Sequence, residues 1–98
     1  MGKEESEDNS VFIGDKSPMQ YIYSICVQAA NKIEEIVLRA RGRAISKACD
    51  VSQIAVNKSM KDWEVKEVKI GTHEKEVEGK IKPMTYINIT IAKKKESQ

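Results

Sequence analysis

The chain has 98 residues, of which 40% are hydrophobic and 33% are charged, and its formal net charge is +2 at pH 7. This length and composition suit one small globular domain. No apolar run is long enough to span a membrane and no secretion signal is recognisable. We therefore expect no membrane insertion and a cytoplasmic location.

The charge is distributed unevenly along the chain. Residues 1–9 carry one Lys against four acidic residues, whereas residues 10–95 carry sixteen Lys and Arg against ten Asp and Glu. The acidic segment 1–9 is predicted to be a disordered tail, residues 10–93 the folded domain, and residues 94–98 a polar tail. A basic domain favours an anionic partner.

A short strand and an amphipathic helix are predicted first. Residues 10–14 contain an unbroken apolar run, which favours a central strand buried on both faces. Ser17 can then cap a helix, Pro18 suits the first helical position, and Gln20 completes a capping box. The helix is predicted to end near residues 31–32. Its predicted buried stripe consists of Met19, Ile22, Tyr23, Cys26, Ala30 and Ile33.

A second strand over residues 34–41 and a second helix over residues 43–58 follow, with a turn at Gly42. A strand–helix–strand order favours a parallel pair with a right-handed crossover. Because the loops after two parallel strands lie at the same end of a sheet, Lys16 should lie beside residues 41–43. The order of the predicted elements therefore indicates, without any family resemblance, that the two basic loops form one patch.

The second helix has one clear apolar stripe. Ile54 falls off this stripe, which indicates either a harmless surface residue or part of a subunit interface. The residues of the stripe itself are Ala44, Ile45, Ala48, Val51, Ser52 and Ala55.

Two long antiparallel strands complete the chain, over residues 63–77 and 80–92. The apolar alternation changes phase near Lys66-Glu67, which predicts a bulge, and Gly79 should lie at the tip of a hairpin arm. Pro83 suits the start of a strand. The order β-α-β-α-β-β predicts an α/β (α+β) domain, with a mixed four-stranded sheet, two helices on one face and a protruding hairpin arm.

Residues 39–50, with the sequence R-A-R-G-R-A-I-S-K-A-C-D, carry four cations around the turn between the second strand and the second helix. Arg43 and Lys47 fall in the first turns of the helix, where the dipole already places positive charge. Free N–H groups at a helix start also need acceptors. A phosphate would accept hydrogen bonds from these groups and would also neutralise the excess positive charge. This stretch is interpreted as a polyanion-binding site, with a merely solvated basic loop as the alternative.

The same stretch resembles the central signature of the Alba family of archaeal chromatin proteins. Residues 11–19 resemble the opening strand and loop of that family, and residues 65–71 and 87–89 resemble its closing strands. The resemblance covers residues 10–93. It implies the fold of the C-terminal domain of translation initiation factor three. It also implies a homodimer that coats double-stranded DNA, binds RNA, and can form a higher assembly on DNA.

The resemblance also implies which residues bind nucleic acid. By position these are Lys16, Arg41, Gly42, Arg43 and Lys47 in the body, and Lys80 and Lys82 near the arm tip. Many family members have a lysine pair in the first loop, whose first lysine can be acetylated. Here Asp15 stands at that position, so Lys16 is the remaining candidate for acetylation.

No catalytic or metal site is recognisable. His73 is the only histidine, the carboxylates are dispersed among lysines, and Cys26 and Cys49 lack the partners of a zinc site. The two cysteines are expected to be buried free thiols, which suits a reducing compartment. No enzyme activity, cofactor or metal is therefore expected.

Three functions remain open. Aromatic residues make up only 5% of the chain, and Trp63 and Tyr86 are expected in the core, so recognition of a duplex backbone is favoured over stacking on single strands. The favoured function is architectural, largely sequence-independent binding of double-stranded DNA, which would compact chromatin. The second is RNA binding, as an RNA chaperone or a subunit of an RNA-processing ribonucleoprotein. The third is a protein-interaction module whose basic patch is only solvated.

Overall fold

The computed structural model describes residues 9–94, which follow the predicted order β-α-β-α-β-β and form a small α+β domain. The elements are β1 (Ser10–Phe12), α1 (Pro18–Ala30), β2 (Glu35–Arg41), α2 (Ala44–Ile54), β3 (Trp63–Val77) and β4 (Lys80–Lys93). A π-helical turn, Ala55–Ser59, continues α2. The predicted second helix, 43–58, is thus a shorter α-helix followed by this turn.

The predictions for both tails lie largely outside the described residues, which exclude 1–8 and 95–98. Asn9, which the sequence assigned to the acidic tail, is joined to β2. The Asn9 side-chain amide donates to Glu35 O at 3.0 Å, and the backbone carbonyl of Asn9 accepts from Val37 N at 2.9 Å.

The sheet has four strands in the order β1-β2-β4-β3. β1 runs parallel to β2, as the crossover predicts, and the other two pairs are antiparallel. The prediction that β1 is central and buried on both faces is wrong. It is an edge strand, and Phe12 is 68% exposed while Val11 and Ile13 are buried. Successive side chains of a strand point to opposite faces, and only one face of this sheet is covered.

The core lies between one face of the sheet and both helices. Ile36 pairs with Ile91 and Leu38 pairs with Ile89, so the four side chains share a face, and all are buried. The helices add further core residues, including the fully buried Ile25 and Val51. The opposite face, which we call the open face, carries Phe12, Arg39, Asn88 and Lys69 in register, and none of them is buried.

The buried stripe of α1 differs from the predicted one. The buried residues are Tyr21, Ile22 and Ile25, whereas Met19 and Tyr23 are 62% and 72% exposed. One residue corresponds to a rotation of about 100° around a helix. Because apolar residues occur on two adjacent sides of α1, the periodicity alone did not decide which side faces the sheet.

The predicted stripe of α2 is largely confirmed, since Ala48, Val51 and Ser52 are buried. Ile54, predicted to lie off the stripe, is half-buried and packs against the core. Both thiols are free, but the expectation that they are buried is wrong, since Cys26 is half-buried and Cys49 is exposed.

The predicted bulge occurs between Val65 and Glu67. Lys66, at the bulge, forms an ion pair with Glu35 of β2 across the intervening strand β4. The hydrogen bond to the Glu35 carboxylate raises the pKa of the Lys66 ammonium above its ordinary value. Because both side chains are exposed, this pair adds little to stability.

β3 and β4 continue past the body as a two-stranded arm. β4 pairs with β2 only from Tyr86 onward, so the arm, residues 72–85, is formed by β3 and β4 alone. Gly79 lies at the tip, with φ +79°, and Glu78 before it also has a positive φ, 53°. Pro83, expected at a strand start, lies inside β4, where β4 has no second neighbour that would require its missing N–H.

Candidate nucleic-acid interface

The two basic loops lie side by side at one end of the sheet. The first loop, residues 13–17, follows β1, and the second, residues 41–43, begins at the last residue of the parallel strand β2. Lys47 ties the first loop to α2, the helix that follows the second loop, because its ammonium donates to Gly14 O at 2.9 Å and to Lys16 O at 2.7 Å. The parallel pairing therefore produces the juxtaposition that the sequence predicted.

Tyr21, which the sequence analysis missed, holds the first loop from the other side. Its hydroxyl oxygen accepts the N–H of Gly14 at 2.7 Å and the N–H of Lys16 at 3.1 Å. The Tyr21 side chain is buried and Lys16 is exposed. The loop is thus fixed from within while the Lys16 side chain points to solvent. A buried tyrosine hydroxyl needs partners, but the predicted stripe of this helix contained Tyr23, so no signal in the sequence selected Tyr21.

The second loop turns at Gly42, which has φ +59°. Its N–H donates to Thr85 O of β4 at 2.9 Å, and its carbonyl accepts from Ile45 N at 3.2 Å. This conformation is favourable for glycine and costly for other residues. The turn leaves Arg41 and Arg43 exposed on either side.

The start of α2 has positive charge without an acidic residue in its first turn. Arg43 is the N-cap residue, its side chain makes no capping hydrogen bond, and its φ and ψ of −67° and −16° are helical. An arginine here does not complement the helix dipole. The position is better suited to an incoming anion than to helix stability.

Lys80 and Lys82 lie apart from the loops. Both are exposed on the arm, where Lys82 pairs with Lys75 and Lys80 pairs with Val77. At 3.4 Å per residue, Lys82 lies roughly 14 Å beyond Tyr86, the residue opposite Arg41. The structure therefore brings Lys16, Arg41, Gly42, Arg43 and Lys47 together and leaves the two arm lysines as a separate group.

A groove of about 950 Å³ runs from the loops onto the open face. Tyr86, expected in the core, is half-buried here, with its ring stacked on His73 at a centroid distance of 4.5 Å. Gly71 makes room for that ring, because a Cβ atom there would lie 2.5 Å from the Tyr86 hydroxyl. Trp63, by contrast, is buried in the core as expected. Since Ile87 and Ile89 face the core, alternation could have placed Tyr86 on the opposite face.

Within residues 9–94, no group of three or more His, Cys, Asp or Glu side chains could hold a metal ion. Neither helix of that range is long and apolar enough to cross a membrane.

The sequence model of the Alba family matches residues 9–72 of the chain, which include both loops and α2. This chain belongs to the Alba family. DNA/RNA-binding protein Alba 1 of Archaeoglobus fulgidus is 38% identical to it over 87 residues, which are 89% of this chain and 98% of that protein. DNA/RNA-binding protein Alba of Thermoplasma acidophilum is 33% identical over 88 residues, covering 90% and 99% of the two chains.

Solved Alba structures agree with the fold. Alba from Thermoplasma volcanium superposes with a TM-score of 0.80 at 32% identity, over 87% of this chain and all of that chain. ALBA1 from Trypanosoma brucei, at 23% identity and a TM-score of 0.69, covers 88% of this chain and 69% of its own, and shows a shared fold.

Proposed function

We propose that this protein is a non-enzymatic nucleic-acid-binding protein that binds double-stranded DNA through its backbone phosphates. The carrying observation is the cluster of Lys16, Arg41 and Arg43, exposed around two adjacent loops, the first of which is fixed by Tyr21 and Lys47. The two relatives named above, which are called DNA/RNA-binding proteins, support this function. Such a protein would compact DNA and be associated with the chromosome.

Binding of this kind has little sequence preference. Arginine and lysine side chains neutralise phosphates and release counterions, whereas sequence is read from the edges of bases. Gly42 permits a close approach of the backbone to a phosphate. Because the Lys47 ammonium is bonded to two carbonyls, we assign Lys47 the role of positioning the first loop and adding positive charge behind it.

The arm makes the smaller contribution in this proposal. Lys80 and Lys82 can follow the duplex beyond the body, but Glu74, Glu76 and Glu78 lie on the same arm and offset their charge. In the first loop, acetylation of Lys16 would remove one exposed cation and weaken binding.

We propose further that the protein acts as a homodimer. Val68 and Ile70 of β3 pair with the buried Ile89 and Ile87, so they lie on the helix-covered side of the sheet. They are nonetheless 54% and 69% exposed, because β3 is the outer strand and neither helix reaches that far. An apolar face that continues past the core to an edge strand suits burial against a second copy. Adjacent dimers could then assemble further along DNA.

The site is tested by replacing both Arg41 and Arg43 with Ala and measuring duplex DNA binding over a range of salt concentrations. We expect near loss of binding at physiological salt, and a salt slope lowered by about one unit for each phosphate that the variant no longer neutralises. The fold should persist, since both residues are exposed.

The matched control replaces Lys61 and Lys94 with Ala. It removes the same charge from the other end of the sheet, where Lys94 N donates to Asp62 O at 2.7 Å. Equal weakening by both double variants would mean that the loops are not the site.

RNA is the second candidate ligand, and the aromatic groove on the open face favours it. Duplex DNA and structured RNA should be compared at one salt concentration. Tighter binding to RNA than to DNA would indicate that the protein is an RNA chaperone or a subunit of an RNA-processing ribonucleoprotein. No binding to either at low salt would instead support a protein-interaction module.

A further inference from the structure

Duplex binding by the loops leaves the groove on the open face without a role. In a duplex the faces of the bases are stacked on one another inside the helix. A protein that contacts only the duplex backbone therefore cannot stack its aromatic rings on bases. Phe12 is nevertheless among the most exposed apolar side chains of the described chain. Burial in the monomer core does not account for this ring, and it lines the groove together with Tyr86.

The spacing of the two rings shows how many bases they could contact. Phe12 pairs with Arg39, and Arg39 with Asn88, so β2 lies between Phe12 and the strand of Tyr86. Tyr86 lies two residues from Asn88. The backbone positions of the two residues are therefore separated by about 10 Å across the strands and about 7 Å along them. The Tyr86 ring also lies over Gly71 of β3, on the side away from Phe12. The two rings therefore do not converge on one base, and each can stack only on a different one.

Positive charge lies between the rings. Arg39 and Arg41 are on the intervening strand β2, and both line the groove. Arg39 Nε donates to Ser10 Oγ at 3.0 Å, which orients the guanidinium group, and its terminal nitrogens carry further donors. Lys69 adds a cation on the far side. Asp15, at the loop end, is the one acidic residue among the described residues that line the groove.

We propose that the open face binds unpaired nucleotides of a single strand. One base stacks on Phe12 and another on Tyr86, which His73 supports from behind, while Arg39 and Arg41 hold the connecting phosphate. Asn88 lies on the same face, in register with Arg39, and its amide can form a hydrogen bond to a base edge. This inference rests on the proposed nucleic-acid binding and extends it to a second class of ligand, which uses stacking rather than the duplex backbone.

The test uses fluorescein-labelled oligouridylate of about ten nucleotides, as RNA and as its deoxy counterpart, with anisotropy as the readout. Phe12→Ala and Tyr86→Leu should each weaken single-strand binding by on the order of tenfold and leave duplex DNA binding unchanged. The matched control is Tyr23→Ala, because Tyr23 is exposed to a similar degree but lies on α1 outside the groove. If the three variants behave alike, the groove does not bind bases.

A second measurement locates the contact directly. Light-induced crosslinking of a bromouridine-substituted strand should modify the peptides that contain Phe12 or Tyr86, and crosslinks confined to other peptides would overturn the proposal. The RNA and DNA arms show whether the ribose hydroxyl matters. If duplex binding depends on Arg41 and Arg43 while single-strand binding is indifferent to Phe12, only this inference fails. If the loop arginines prove irrelevant to the duplex, the proposed function fails.

Discussion

In Gly14 and in Lys16, the backbone N–H and the backbone carbonyl are both hydrogen-bonded to side chains of the helices. Tyr21 accepts from the two N–H groups and Lys47 donates to the two carbonyls. A loop held in this way loses little further entropy when it binds a ligand, because its geometry is already fixed. Binding affinity at this loop should therefore depend on residues that never touch the ligand.

Replacing Tyr21 with Phe removes the acceptor of two backbone N–H groups and keeps the ring in the core. We expect a loss of about 1 kcal/mol of unfolding free energy. Hydrogen exchange at Gly14 and Lys16 should become faster and duplex binding weaker. The control is Tyr23→Phe, which changes an exposed hydroxyl. Unchanged exchange at both amides in Tyr21→Phe would contradict the role assigned to the hydroxyl.

Asp15 lies beside Lys16 and lines the groove, where its carboxylate repels phosphate. Asp15→Lys should tighten duplex binding at low salt, and the gain should shrink as salt rises because screening weakens it. Asp62→Lys makes the same charge change at the other end of the sheet and should have the smaller effect. Equal gains from both would show that only total charge matters.

At the scale of elements, the arm is the part of the chain least supported by the core. Its two-residue turn places Glu78 and Gly79 at positive φ. Hairpin turns of this kind favour Asn or Asp followed by Gly, and a Glu at the first position is strained. Glu78 is therefore less favourable at the tip of the arm than Asn or Asp would be.

We expect Glu78→Asn to stabilise the arm by several tenths of a kcal/mol, since Asn adopts positive φ more readily. Hydrogen exchange at Val77 and Lys80, which pair next to the turn, should slow. The melting temperature should not change, because the arm projects beyond the core. Glu76→Asn, inside β3, removes the same charge without the turn effect and should not slow exchange.

At the scale of the whole molecule, the outer strand β3 leaves the apolar side chains of Val68 and Ile70 exposed. Ile70→Asp should convert a dimer into a monomer in sedimentation at micromolar concentration, because a buried unpaired carboxylate is costly at an interface. Ile81→Asp makes the same substitution at an equally exposed position on the arm and serves as the control. A wild-type protein that sediments as a monomer would refute the dimer itself.

Local chemistry was enough to predict the limits of most elements. Ser17, Pro18 and Gln20 placed the start of α1, and the phase change near Lys66 placed the bulge. The parallel pair of β1 and β2 also followed from chain order, and with it the adjacency of the two basic loops. The central basic signature was enough to suggest the Alba family.

The tertiary structure decided which side of each element is covered. Apolar residues occur on two sides of α1 and on both faces of β1, and only the packing selected Tyr21 and Ile25 over Tyr23, and Val11 over Phe12. Burial depends on neighbours that are distant in the chain, so a local period cannot assign it when both sides are apolar. For the same reason the Tyr21 and Lys47 contacts, and the aromatic groove around Tyr86, became visible only when strands and helices far apart in sequence had been brought together.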